Sequence, residues 1–389
     1  MKEKDADERG SALLIAMAVM LMLTLAAIMA VDTAQTDIEL SFNALHHDQA
    51  FYTAEAGLQR AFVELNNNPG WNTGFVNVTF EQGVYSVAVV DSTVSPDLAD
   101  TVMLRATGAI QQASANLEAT VVPEYRYPFR YAMFAEDSLT MDNNTCTDSY
   151  RSDSGSYAGT LRNAYADIGS NGPLSLTNTA LVNGGASSAV DDGITMENIA
   201  EVTGDTATGV PRNELDIVST SDYQWAEANN SAPYGFRGNG YTYRNGTGEL
   251  ELSQNATLEL SGGVYLFSDI RMGNSSQIEI APGEDVTIFL TGNLEVGQSS
   301  TVNASGSPAN LTIFSQGNSL ILGQSTELRA AFYGPSTEVV IDNNTDIYGS
   351  VVAGSVNMRN HSCFHYDRAL AKKAYGTTGR MLMVAWKEL

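Results

Sequence analysis

Lysine is nearly missing from this 389-residue chain: only Lys2, Lys4, Lys372, Lys373 and Lys387 carry an ammonium group. All basic residues together number 20 against 45 acidic ones, a formal charge of −25. Such a surface repels phosphate, which excludes binding along a DNA or RNA backbone and opposes docking on anionic lipid. Cysteine is scarcer still. With Cys146 and Cys363 alone, neither a disulfide-dense mini-domain nor a four-cysteine zinc module can be built. Charged residues are only 17% of the chain, which excludes a coiled-coil rod. G-x-S-x-G, H-E-x-x-H and phosphate-loop motifs are absent as well.

The N-terminal quarter lacks helix breakers. No proline precedes Pro69, and between residues 11 and 60 the only glycine is Gly57. Residues 11–31 also lack any charge, and at 1.5 Å per residue this run spans the ~30 Å hydrocarbon core of a bilayer. Beyond it Ile38, Phe42, Leu45, Tyr52, Leu58, Phe62 and Leu65 recur mostly at helical steps. The pattern predicts one helix over residues 11–65, apolar all round in its first part and amphipathic in its second.

Two motifs lie in register on this helix. Glu8-Arg9-Gly10-Ser11-Ala12-Leu13-Leu14-Ile15 resembles a type IV prepilin leader, residues 1–10, cut between Gly10 and Ser11. Ala50-Phe51-Tyr52-Thr53-Ala54-Glu55-Ala56-Gly57-Leu58 is similar to the signature of PilX-type minor pilins, with Ala54, Glu55 and Gly57 at its centre. The resemblance implies a prepilin inserted in the inner membrane, processed and methylated by a prepilin peptidase, and built into a surface pilus with other major and minor pilins. It departs from the family at Ile15, the fifth residue after the cleavage point, where major pilins carry a glutamate that pairs with a neighbouring subunit's amine. A subunit without that carboxylate suits the filament tip better than the repeating shaft. The leader, with Lys2, Lys4 and Arg9 set against four acidic residues, is also less basic than usual.

The rest of the chain is turn-rich. Residues 66–122 read as a small β-meander, with strands over 76–80, 84–90, 101–107 and 117–122 and a turn at Ser95-Pro96-Asp97. Two prolines mark a linker over 123–130. From residue 131 to 366 a short motif returns: Met272-Gly273-Asn274-Ser275-Ser276, Val296-Gly297-Gln298-Ser299-Ser300 and Leu322-Gly323-Gln324-Ser325-Thr326, with weaker copies at 141–145, 252–256, 341–345 and 358–362. Short strands at a period of about 17–26 residues favour a β-solenoid (β-helix) over a β-sandwich, with glycine and asparagine at left-handed corners. The expected fold is therefore α+β: a long pilin helix, a small meander, a β-solenoid, and a tail over 367–389.

Candidate chemistry is sparse. Asp191-Asp192, Asp142, Asp342 and Asp346 fall in turns without a recognisable basic partner, and a solvated surface role is their plainest reading. Asp342 to Asp346 alternates oxygen ligands like half a calcium loop but lacks its glycine and distal glutamate. His361, Cys363, His365 and Asp367 alternate so as to share one face of a strand, where neighbours could hold a metal. Alternatively, residues 138–146 parallel 355–363, each cysteine following its methionine by five, which places the two thiols at equivalent rungs. Disulfide, free thiols and metal all stay open. No cofactor is called for. The sequence reads as a non-enzymatic minor pilin taking part in pilus assembly, with two rivals: a pilus-displayed adhesin for a carbohydrate or surface, and a membrane-anchored carbohydrate-active enzyme.

Overall fold

The computed structural model describes residues 4–68, 70–90, 101–125, 127–372 and 377–389. The turn expected at 95–97 lies outside them. The chain divides into a unit made of residues 1–125 and 377–389, and a larger, sheet-rich unit of residues 126–376.

In the smaller unit the predicted helix forms without interruption as α1 (Lys4–Asn67), starting within the leader at Lys4. It is long and apolar enough to cross a membrane, and Leu13, Leu14, Ile15 and Met17 stand exposed along it. The meander follows as β1 (Phe75–Phe80), β2 (Gly83–Val90), β3 (Val102–Ile110) and β4 (Ala113–Tyr125), all antiparallel neighbours. Alternation along β2 and β3 turns one face inward, so Tyr85, Val87, Leu104 and Ala106 meet Ala54, Leu58, Ala61 and Leu65 of α1.

Two boundaries differ from expectation. The tail over 367–389 contains a strand: Thr377–Glu388 is the fifth of the small sheet, antiparallel to β4, with Leu382 opposite Val122 and Trp386 opposite Ala119. A strand added from more than 250 residues away carries no local turn signal, so spacing gives no sign of its pairing. The linker over 123–130 is likewise shorter than read. Residues 123–125 complete β4, and Phe129 is fully buried in the larger unit.

In the larger unit short strands pair in parallel with strands one coil away. One ladder runs Leu250↔Ile270↔Leu294↔Leu320↔Val339↔Val356↔Leu139↔Leu174↔Ile194. All of these except Ile194 are buried and form a continuous apolar row. The sequence order along it is broken. The chain starts mid-ladder at Met133–Met141, stacks outward to Ile194–Met196, then crosses through the helix Thr220–Ala228. It restarts at the far end with Glu249–Leu260 and stacks back until its last coil meets its first. The crossing helix covers one side, Tyr223 and Ala226 packing among Phe289, Tyr333 and Phe129.

The repeated motif makes the corners. Ser275, Ser299, Ser325, Asn344, His361 and Asn144 all take positive φ, between 52° and 60°. The glycines have a different duty from the one expected. A Cβ on Gly297 would lie 2.5 Å from the Met272 carbonyl oxygen, so glycine there permits one coil to stack on the next. The residue after each left-handed corner is a buried hydroxyl: Ser276, Ser300, Thr326, Thr345, Ser362 and Thr145. Ser276 donates to the Gly273 carbonyl and Thr345 to that of Gly323, satisfying acceptors the corner would strand.

Candidate functional site

In the smaller unit the pilin-like motif is a docking stripe. Ala50, Ala54, Leu58, Ala61 and Leu65 recur at four- and three-residue steps and are all buried, so one face of α1 lies flat on the sheet. Contact is made backbone to backbone. A Cβ on Gly108 of β3 would fall 2.2 Å from the Ala50 oxygen and 2.4 Å from the Ala54 nitrogen. Gly57 is constrained by side chains instead, its Cβ position lying 2.8 Å from the Tyr85 ring. Thr53 donates its hydroxyl to the Gln49 carbonyl, and Glu55 sits half-buried at the rim. Ile15 is exposed, and the backbone at Gly10 and Ser11 is helical.

In the larger unit the chemically distinctive place is the seam where the last coil meets the first. Cys363 pairs with Cys146, Phe364 with Thr147 and His365 with Asp148, in parallel register. The two cysteines are disulfide-bonded, their Cα atoms 4.6 Å apart across 217 residues. Beside them His365 is buried, with Nδ1 2.9 Å from Asp148 Oδ1 and Nε2 3.6 Å from Asp346 Oδ1. Tyr157 donates to the other Asp148 oxygen at 2.7 Å, Tyr348 lies against the imidazole at 4.4 Å, and Arg329 covers Tyr348.

The four residues expected on one strand face, where neighbours could hold a metal, are dispersed. His361 occupies a corner, its Nε2 3.2 Å from Asn144 Nδ2, while Cys363 is in the disulfide and His365 is held by Asp148. Asp367 accepts from the Ser152 and Ala369 amides. The positive φ at His361 turns it off the strand, which breaks the alternation that would have aligned all four. Of the half calcium loop, Asp342 accepts from Arg359 and Asp346 faces His365. Among the described residues no group of three or more metal-ligating side chains is placed to hold an ion. Asp142 accepts from Thr177 and Asn178, and the Thr177 hydroxyl foremost holds its carboxyl below the usual range.

The sequence reading missed the His365–Asp148 pair. Its signal was present: carrying the 138–146 and 355–363 match two residues further puts Asp148 opposite His365. Burial disfavours the imidazolium, but hydrogen bonds and charge from Asp148 and Asp346 outweigh it and raise the His365 pKa above the ordinary 6.5. A raised folded-state pKa stabilises fully below about 6.5, and that stabilisation is lost as pH rises through the folded value. The wild-type unfolding temperature should therefore fall between pH 6 and pH 9 relative to His365→Gln, measured by calorimetry. Parallel pH profiles would remove His365 as the cause.

The smaller unit thus has the long apolar N-terminal helix that fits a pilin, laid on an antiparallel sheet. A family described as a domain of unknown function, DUF7305, matches residues 225–373, less than half of the chain. No curated protein matches it. Among solved structures, the competence-associated pilin ComZ from Thermus thermophilus is similar at 13% identity and a TM-score of 0.31, over 88% of this chain and 97% of that one. The ice-binding protein LeIBP from an Arctic yeast is similar at 12% identity and a TM-score of 0.35, over 62% and 94%. Its glycosylated form is similar at 13% and 0.37, over 65% and 98%.

Proposed function

We propose that this chain is a non-enzymatic minor pilin of the PilX type. It enters the inner membrane through residues 11–31, is cleaved between Gly10 and Ser11, and joins a type IV pilus at or near the tip. The observation that carries this reading is the division of labour along α1. Residues 13–31 are exposed and apolar, available to a membrane and then to other pilin helices, while the later part is fixed to a sheet through the Ala50–Leu65 stripe. We read the larger unit as a β-solenoid displayed outward, on the strength of its parallel ladders and repeated left-handed corners. The non-enzymatic reading rests on the engagement of Asp142, Asp148, Asp342 and Asp367 by side chains and amides of the ladder itself.

Processing tests the assignment. Mass spectrometry of the exported protein should find Ser11 at the N-terminus, and Gly10→Leu should leave an uncut membrane-bound precursor. A mature chain beginning elsewhere would sink the prepilin reading.

A further inference from the structure

The two ends of the ladder in the larger unit are finished differently. At one end Phe236–Arg244 runs antiparallel along Glu249–Leu260, bending between Asn239 and Tyr241 to follow the coil around its corner. Phe236 stacks over Tyr265 and Phe267, which closes the apolar row. This cap also matches charge. Arg244 meets Glu249 at 2.8 Å and Glu251 at 3.3 Å, and Arg237 stands 3.9 Å from Glu259.

At the other end the last coil consists of Ile194–Met196, Glu201–Val202 and Thr206–Ala207. Each pairs only inward, with Leu174–Leu176, Leu181–Val182 and Ala186–Ser188. Among the described residues no strand pairs with their outer edges. The amides of Glu201 and Thr203 donate inward to Ala180 and Val182, so the intervening Val202 N–H points to the open side. Met196 is 50% exposed and Ile199 74%. Asp191, Asp192, Glu197, Glu201 and Asp205 are all exposed there, and none forms an ion pair among the described residues.

We propose that this open coil is a docking edge for a basic, extended segment of a partner protein, which adds as a strand and closes the row as Phe236–Arg244 closes the other end. An uncovered strand edge with exposed apolar side chains is a template for pairing. Charge selects the occupant. A second copy stacked coil to coil would set these carboxylates against one another, whereas arginines near the two ends of an added strand reproduce the pairing that Arg237 and Arg244 already make with Glu259, Glu249 and Glu251.

The test uses the full chain in detergent and a labelled peptide of sequence Phe-Arg-Gly-Asn-Gly-Tyr-Thr-Tyr-Arg, the chain's own cap, with a counterpart carrying glutamate at both arginine positions. Fluorescence anisotropy should show saturable binding of the arginine peptide alone. Glu197→Lys with Glu201→Lys should weaken it at least tenfold and let the glutamate peptide bind instead. Val202→Pro removes the outward amide, and with the fold shown intact by circular dichroism it should also weaken binding. Absence of binding, binding indifferent to these variants, or self-association through this end would each overturn the proposal.

Discussion

Reduction of the Cys146–Cys363 disulfide should lower the unfolding temperature of the larger unit by on the order of 10 °C. The bond spans 217 residues. On the chain-entropy model, closing a loop of that length restricts the unfolded chain by about 5 kcal/mol, and a unit of this size shifts by about 2–4 °C per kcal/mol. The bond lies where the ladder is most vulnerable. Strands Asp346–Met358 and Cys363–Asp367 come late in the chain, yet they must pair with Met133–Met141 and Cys146–Tyr150, which come first. With the bond cut, only non-covalent pairing across the longest loop in the unit keeps the seam closed. Scanning calorimetry with and without reductant measures the effect, and Cys146→Ser with Cys363→Ser should reproduce it without reductant. Free alkylation of both thiols in the exported, unreduced protein would show that no bond exists there.

Gly108→Val should detach α1 from its sheet. Its Cβ would enter the Ala50 carbonyl and the Ala54 amide, both backbone atoms of a helix that cannot yield by a side-chain rotation. Overpacking of a rigid contact costs typically 1–3 kcal/mol, and a clash this deep should exceed about 3 kcal/mol. Hydrogen exchange at residues 50–65 should accelerate by two orders of magnitude or more, while protection in the larger unit is retained. Gly246→Val is the control, since nothing lies within 4 Å of its Cβ position. Equal effects of the two substitutions would contradict the close approach.

Much of this architecture was legible from short-range pattern. The uncharged run over 11–31 and the missing helix breakers specify α1, because helix formation depends on neighbours three and four residues apart. The stripe of Ala54, Gly57 and Leu58 was legible as a motif, although its purpose as a close-packed backbone contact appeared only with Gly108 opposite it. The G-[NQ]-S-[ST] copies marked the corners correctly. Their division of labour, serine at positive φ and glycine against the neighbouring coil, depends on stacking that one coil cannot reveal.

Residue order alone therefore established the helix, the alternating strands and the recurring corners, each a local consequence of spacing and side-chain chemistry. Tertiary structure decided the rest. Thr377–Glu388 completes the small sheet, the last coil joins the first, His365 meets Asp148, and one end of the ladder is capped while the other stays open. The first three of these join residues more than 200 positions apart. Many partners would satisfy an alternating strand equally well, and only the collective burial of the whole ladder selects among them.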